Sequence, residues 1–293
     1  MNYLKYLKEN VEIIVFFILV IVLAILILRR SWEGFYNEQQ GINRLDAIIY
    51  INLENRADRK ELLMKELEKL NTNMGKVHKV SGIYMPKNGH KGCIQSHILA
   101  LNMIKLNKWK RVLILEDDAE LDIDPDTFNE VINKSLEELD VKHPEWNVIM
   151  LGTANKVLDY TKTDADIPLD IEYLSKSKNK TKTKNKNNKN NKNNKNSKNN
   201  NADTKTMMLQ KLKKATTSSA YIVKDTYVDN ILNLFNTCNK NMEPHKLTNN
   251  GFEIWALDQK WAELQNKDNW FCYNKDPIKQ RAIWSTIMSE SHT

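Results

Sequence analysis

Three consecutive acids, Glu116, Asp117 and Asp118, directly follow the short apolar run of residues 112–115. Such a run predicts a strand that is buried on both faces of a sheet. In open α/β sheets, ligands bind in the crevice beyond the carboxyl ends of the strands. Adjacent carboxylates repel one another unless a cation offsets their charge, and Mg²⁺ or Mn²⁺ binds carboxylates together with substrate phosphates. We therefore expect a metal-dependent site for a phosphate-bearing substrate.

A sheet with helices packed on it must position these acids. The pattern predicts further strands over 46–53, 146–151, 215–223 and 269–273, and helices over 58–70, 92–106, 130–139, 225–235 and 252–264. In the first helix, for example, Leu63, Leu67 and Leu70 recur at the spacing of one helical face. Strands that alternate with helices indicate an α/β fold with a mostly parallel sheet.

The net charge of +7 comes from one segment. Ten lysines and no acid lie between Tyr173 and Ala202, and the rest of the chain has 34 basic against 37 acidic residues. That balance argues against a nucleic-acid-binding domain. Residues 175–201 contain no apolar side chain and predict a disordered Lys/Asn-rich insert, for which binding to an anionic surface is the alternative interpretation.

Residues 11–28 are apolar except for Glu12 and are long enough, at about 27 Å as a helix, to cross a bilayer. A cleaved signal peptide is the alternative, but the run is long for one and is followed by Arg29-Arg30 instead of small residues. We expect a single-pass membrane protein with a type II signal-anchor. Residues 1–30 would be the anchor and residues 31–45 a stem.

The three cysteines, Cys93, Cys238 and Cys272, are scattered and include no Cys-x-x-Cys pair. This spacing argues against a disulfide framework and against a zinc knuckle.

Six segments, taken together and in order, resemble the signatures of glycosyltransferase family 25, which includes bacterial lipopolysaccharide glycosyltransferases and procollagen galactosyltransferases. The segments are DAIIYINLENRADR at 46–59, GCIQSH at 92–97, LEDD at 115–118, SAYIV at 219–223, ALD at 256–258, and DPIKQ at 276–280 followed by Ser285. The resemblance covers residues 46–287, and the anchor and the Lys/Asn-rich insert lie outside it.

The resemblance implies a GT-A fold, a Rossmann-like α/β domain that binds a nucleotide sugar together with Mn²⁺ or Mg²⁺. In that family pattern Asp118 and Glu116 would hold the metal. Asp117 or Glu116 would hold ribose or sugar hydroxyls, and Asp117 is also a candidate catalytic residue. A solvated acidic strand end is the alternative interpretation.

The resemblance also implies two donor-binding segments. Asn52, Arg56 and Arg59 follow the first strand, although one of the arginines could instead pair with Asp58 or Glu54. Further along the chain, Gly92, Ser96 and His97 lie where a turn leads into a helix, whose free N–H groups suit a diphosphate. His97 could instead be a structural residue with its hydrogen bonds satisfied in the core.

Asp258 is the candidate general base, because transfer with inversion needs a carboxylate to accept the proton of the acceptor hydroxyl. A helix-surface acid or an acceptor-binding group are the alternatives for Asp258. The nearby Trp255 and Trp261 could stack on sugar rings, but core packing is the commoner use of tryptophan.

The resemblance, together with the acidic strand end, implies metal-dependent transfer of a hexose from a UDP-sugar to a hydroxyl of a glycan, a lipid-linked sugar or a hydroxylated protein. The resemblance alone implies galactose as that hexose. One alternative is a non-catalytic, membrane-anchored glycan-binding or adhesion protein on the same fold. Another is a nucleotidyltransferase, which would release pyrophosphate from a nucleoside triphosphate.

Overall fold

The structure is a computed structural model that describes residues 11–38, 40–159, 166–174, 204–242 and 254–282. The helices are α1 (Val11–Glu38), α2 (Ala57–Lys69), α3 (Gly89–Asn107), α4 (Pro125–Lys142), α5 (Asp225–Asn241), α6 (Leu257–Lys260) and α7 (Ala262–Gln265). The strands are β1 (Ala47–Asn52), β2 (Val77–Ser81), β3 (Arg111–Glu116), β4 (Ala119–Leu121), β5 (Val148–Met150), β6 (Ala154–Leu158), β7 (Ile167–Leu174), β8 (Thr204–Thr216), β9 (Ala220–Lys224), β10 (Trp270–Tyr273) and β11 (Ile278–Gln280).

The main sheet has the strand order β2-β1-β3-β9-β5-β10-β8-β6, and β7 pairs with β8. The pairs β1–β2, β1–β3 and β5–β10 are parallel, whereas β9 runs antiparallel to both of its neighbours, β3 and β5. The predicted α/β class is therefore confirmed, with a mixed sheet that contains two parallel sections. The direction of β9 was not predictable, because a short buried apolar strand has the same pattern in either direction.

Two apolar layers cover the two faces of the sheet, because alternate residues of each strand point to opposite sides. On one side, Ile48 and Leu113 pack with Leu63 of α2 and Phe128 of α4. On the other side, Ile49 and Ile114 pack with helices α3 and α5. The result is a sheet between two layers of helices, which leaves the strand ends as the places where polar side chains can gather.

Several elements differ from the sequence-based prediction. Six strands were not predicted as such: β2, β4, β6, β7, β8 and β11. The helix expected over 252–264 is two short helices, α6 and α7. Residues 252 and 253 lie outside the described residues, as do the Lys/Asn-rich insert at 175–201 and Ser285. The disorder expected for that insert stays a prediction.

The N-terminal helix forms as predicted and extends further, over Val11–Glu38. The described apolar side chains of this helix, such as Phe16 and Leu28, are exposed. The prediction of a transmembrane helix is nevertheless not confirmed, since no helix among the described residues has the length and apolar character required to cross a bilayer.

The domain begins earlier than expected, because part of the predicted stem over 31–45 belongs to the core. Ile42 and Leu45 are fully buried in the same apolar layer as Leu63. Two side chains of α4 hold this segment: Asn133 Oδ1 accepts from the N–H of Gly41 at 2.7 Å, and Asn129 Oδ1 accepts from the N–H of Ile42 at 3.1 Å. Residues 41–45 are thus a structural part of the domain.

We expect Ile42→Ala to lower the free energy of unfolding by about 2–5 kcal/mol, because the substitution leaves a cavity in a fully buried position. Urea unfolding of the purified chain measures the change. Leu106→Ala is the matched control, since Leu106 is 83% exposed and its truncation should change the free energy by less than about 0.5 kcal/mol. Equal midpoints for the two variants would show that residues 41–45 are a dispensable stem.

Candidate active site

The carboxyl ends of the three parallel strands β2, β1 and β3 meet at one edge of the sheet. In the strand register, Ile51 lies opposite both Val80 and Glu116, and Asn52 lies opposite Ser81. Residues that follow these strands therefore come together although they are distant in sequence. They border a cleft of about 720 Å³.

Helix α3 and the loop before it form the other wall of this cleft, which we call the first cleft. Cys93, Ser96 and His97 line the cleft at the spacing of one helical face. Seven predicted site residues are brought together here: Asn52, Arg59, Ser96, His97, Glu116, Asp117 and Asp118. The remaining lining residues are Ile51, Leu53, Gly82, Ile83, Tyr84, Met85, Gly89, Cys93 and Gln280.

Asp117 is held by hydrogen bonds to both of its carboxylate oxygens. Asn52 Nδ2 donates to Oδ2 at 2.8 Å, and Arg59 Nη1 donates to Oδ1 at 2.9 Å. All three residues are buried. Asp117 therefore orients Asn52 and Arg59 at the cleft, while the catalytic role proposed for Asp117 stays a prediction.

The two arginines of the first loop have different partners. Arg59 pairs with Asp117 and lies 3.6 Å from Asp118 Oδ2. Arg56 pairs instead with Asp58 through Nε and Nη2, at 2.9 and 2.8 Å, and this hydrogen bonding lowers the pKa of Asp58 to about 2. The alternative of a local Arg–Asp58 pair is thus confirmed for Arg56 and wrong for Arg59.

Glu116 is bound by a buried histidine. His97 Nε2 lies 3.2 Å from Glu116 Oε1, and His97 Nδ1 lies 3.0 Å from the hydroxyl of Tyr221. Burial alone would raise the pKa of Glu116, but hydrogen bonds from His97 and Ser218 and the charge of Arg59 outweigh it and lower that pKa. Because Glu116 is ionised, His97 Nε2 donates the hydrogen bond in this pair.

Asp118 is the least compensated of the three acids. Gln280 Nε2 donates to Asp118 Oδ2 at 3.0 Å, but Oδ1 is buried and has no hydrogen-bond partner among the described residues. Burial, followed by the charge of Glu116, raises the pKa of Asp118 to about 7. A buried anionic oxygen without a partner is the environment that a divalent cation would satisfy, so these residues fit the predicted metal.

Two predicted donor-binding residues have structural contacts. Ser96 Oγ donates to the carbonyl of Gly92 at 2.7 Å and accepts from the N–H of Ile83 at 2.8 Å. Gly92 does not line the cleft, and a Cβ there would lie 2.4 Å from the carbonyl oxygen of Ile83. Both residues hold the loop that borders the cleft against α3, and their direct contact with a donor stays a prediction.

Asp258 lies in a second cleft, of about 810 Å³, that adjoins the first. Cys93, Glu116 and Gln280 line both clefts. Asp258 Oδ2 accepts from the N–H of Thr217 at 3.1 Å. Thr217 has φ +75°, a strained conformation for a β-branched residue that is found mainly where function constrains the backbone.

The structure adds residues that sequence reasoning did not assign to the site. Gln280 reaches Asp118 because strand β11 pairs with β4, the strand that directly follows the acids. Ser218 hydrogen-bonds Glu116, and the N–H of Glu116 donates to the carbonyl of Ser219 at 2.9 Å. Gln280 and Ser219 lie in segments that resemble family 25 signatures, so the resemblance could have assigned these two residues to the site.

Trp261 is fully buried and its Nε1 donates to the carbonyl of Ala215, so core packing is its role.

The sequence matches the family described as "Glycosyltransferase family 25 (LPS biosynthesis protein)" over residues 78–246, more than half of the chain. The chain belongs to glycosyltransferase family 25. It is therefore a glycosyltransferase, and the predicted family is confirmed. The match includes the acids at the end of β3, helix α3 and the turn at 217–219.

Two solved structures resemble the family 25 chain at low identity. One is described as mannose-1-phosphate geranyltransferase from Thermus thermophilus, with 8% identity, a TM-score of 0.37, and coverage of 82% of this chain and 75% of that one. The other is a glycosyltransferase involved in glycosylation of the major capsid of PBCV-1, with 9% identity, a TM-score of 0.38, and coverage of 84% and 97%. At this level of similarity, neither structure indicates a function for this chain. A comparison with curated proteins gives no match.

We expect Arg59→Ala to lower the free energy of unfolding by about 3–5 kcal/mol, because it leaves the buried Asp117 carboxylate without its cationic partner. Arg56→Ala is the matched control and should cost no more than about 1 kcal/mol, since its partner Asp58 is exposed to solvent. Urea unfolding compares the two variants. If the free energy of unfolding falls equally in both variants, Arg59 is not the cation that stabilises the acids Glu116–Asp118.

Proposed function

We propose that this family 25 glycosyltransferase is a metal-dependent hexosyltransferase with a GT-A-type nucleotide-sugar site, using UDP-galactose as the preferred donor. The observation that carries the metal proposal is the buried, unpartnered Oδ1 of Asp118 beside the ionised Glu116. The choice of UDP-galactose and of Mn²⁺ or Mg²⁺ follows from the family resemblance.

Asp118 and Glu116 would hold the cation, since both acids line the same cleft. The hydrogen bonds of Glu116 to His97 and Ser218 both use Oε1, which leaves Oε2 for a ligand. When bound, a divalent cation would neutralise the negative charge that develops on the departing diphosphate. Arg59 and Asn52, held in place by Asp117, would contact the nucleotide part of the donor from the ends of β1 and α2.

Asp258 would act from the second cleft, where the acceptor would enter. Thr217 occupies only Oδ2 of Asp258, so Oδ1 can accept a proton. As the acceptor oxygen bonds to the anomeric carbon, its proton would pass to Asp258 and the bond to the UDP oxygen would break on the opposite face. The shared boundary of the two clefts at Glu116 and Gln280 supports this division between donor and acceptor sides.

The acceptor would be a hydroxyl of a glycan, a lipid-linked sugar or a hydroxylated protein. Family membership argues against the alternative of a non-catalytic binding protein. Membrane attachment through residues 11–28, in a type II orientation, stays a prediction of the sequence.

The full chain, incubated with a panel of UDP-sugars and Mn²⁺, should release UDP fastest from UDP-galactose, and the release should stop with a chelator and return on adding Mn²⁺. A UDP-release assay measures this directly. Full activity in the chelator would contradict the metal proposal. Faster release from another UDP-sugar would contradict the donor proposal alone, and pyrophosphate release from a nucleoside triphosphate would favour a nucleotidyltransferase.

Asp118→Asn should lower UDP release by at least about a thousandfold while making the metal-free protein more stable at pH 8 by about 1–4 kcal/mol. The gain arises because the folded pKa of Asp118, at about 7, lies above its value in the unfolded chain, so wild-type stability falls as the pH rises towards 7. At pH 5 the carboxyl is protonated in the folded protein and the gain should shrink.

Urea unfolding at both pH values, with chelator present, measures the stability change. Asp126→Asn is the matched control, because Asp126 is exposed in the first turn of α4 and away from the cleft. Wild-type turnover by Asp118→Asn would show that this residue does not hold the cation.

A further inference from the structure

The first cleft contains a second set of metal-binding atoms, whose chemistry differs from that of the carboxylate pair Asp118 and Glu116. The Cys93 sulfur, a His97 ring nitrogen and a Glu116 carboxylate oxygen all lie within 4.8 Å of one another. We propose that Cys93, His97 and Glu116 form a binding site for a thiophilic transition metal such as Zn²⁺, and that its occupancy inhibits the enzyme. The metal site goes beyond the proposed hexosyl transfer and is independent of it, whereas the inhibition rests on the proposed function.

The geometry is already close to that of a three-residue zinc site. Two ligands bound at about 2.1 Å in a tetrahedral site are roughly 3.4 Å apart. His97 Nε2 and Glu116 Oε1 are separated by 3.2 Å, so an ion could enter between them with little movement of either side chain. Cys93 lies one helical turn before His97 on α3, which places the sulfur beside the imidazole on the same helical face.

The surroundings also supply the outer contacts that such sites use. The hydroxyl of Tyr221 lies 3.0 Å from His97 Nδ1 and can accept a hydrogen bond from Nδ1–H once Nε2 binds the metal. Ser218 hydrogen-bonds Glu116 and orients its carboxylate. Both partners are buried, so the imidazole and the carboxylate are held in place before an ion arrives.

The ligand types distinguish this site from the Mn²⁺ or Mg²⁺ site proposed at Asp118. A thiolate and an imidazole favour Zn²⁺, whereas hard cations prefer oxygen ligands. On binding, the Cys93 thiol would lose its proton to solvent, and His97 Nε2 would give up its proton so that the neutral imidazole carries its remaining proton on Nδ1. The sulfur and Nε2 would then bond to the metal. Three protein ligands leave a fourth position open to water or to a donor oxygen.

Inhibition follows from the position of the shared ligand. Glu116 lines both clefts and is one of the two acids proposed to hold the catalytic cation. A zinc ion at Glu116 Oε1 would offset the negative charge with which this carboxylate would hold the catalytic cation. It would also occupy the boundary that donor and acceptor must both reach.

Co²⁺, a spectroscopic substitute for Zn²⁺, tests the site in the purified full chain without any need for activity. Metal-free wild-type protein should bind one Co²⁺ with a thiolate-to-cobalt charge-transfer band, and Zn²⁺ should abolish the band. Cys93→Ala should lose the band and bind Zn²⁺ at least about tenfold more weakly by calorimetry. Cys272→Ala, which removes a buried thiol outside both clefts, should keep the band and the wild-type affinity.

A wild-type protein that binds Co²⁺ without a thiolate band, or that binds no Co²⁺, would overturn the proposal. So would unchanged Zn²⁺ affinity in Cys93→Ala. The inhibitory role has a separate readout, in which each rate is expressed relative to the same protein without Zn²⁺. The Zn²⁺ concentration that halves UDP release should be at least about tenfold higher for Cys93→Ala than for wild type. If no UDP-sugar is turned over at all, the proposed function fails while the cobalt band still decides whether the metal site exists.

Discussion

Charge repulsion among three adjacent, enclosed carboxylates is the constraint on which the site depends. Asp117 is compensated by Arg59 and Asn52, and Glu116 by His97 and Ser218. Asp118 Oδ2 accepts from the neutral amide of Gln280 and lies 3.6 Å from Arg59 Nη1, whereas Oδ1 has no hydrogen-bond partner among the described residues. The fold thus stabilises two of the three charges internally and leaves the third only partly compensated, which is the pattern expected where a ligand completes a site.

The turn at 217–219 connects Glu116, at the end of β3, to the second cleft, which contains Asp258. Thr217 donates its N–H to Asp258, and the next residue, Ser218, hydrogen-bonds Glu116. The positive φ of Thr217 is energetically unfavourable, and the hydrogen bonds of Thr217 to Asp258 and of Ser218 to Glu116 can maintain it. Because β9 runs antiparallel to β3, its amino-terminal end, and hence this turn, lies at the same sheet edge as the carboxyl end of β3. The antiparallel strand therefore brings the candidate base and the candidate metal ligands next to each other.

Much of the first cleft could be predicted from local pattern. The apolar run ending in Glu116, the helical spacing of α2 and α3, and the first strand are all confirmed. The pairing of Arg59 with Asp117 could not be predicted, since a local partner, Asp58, was equally available and in fact binds Arg56. Strand β11 has only three residues, and nothing in its composition indicates that it pairs with β4 and presents Gln280 to Asp118. The burial of Ile42 was missed because a short 3₁₀ turn has no periodic signal.

By itself, the sequence determined the fold class, the family and the set of acids, because these depend on short-range apolar spacing and on segments that persist in order along the chain. Only the tertiary structure decided which acid is compensated, which arginine reaches the cleft, and that the scattered cysteines include one beside a histidine and a glutamate. The physical reason is that hydrogen bonds and ligand sets form between side chains that chain crossovers bring together. Those contacts depend on strand order and direction, which a buried apolar strand does not encode in its own residues.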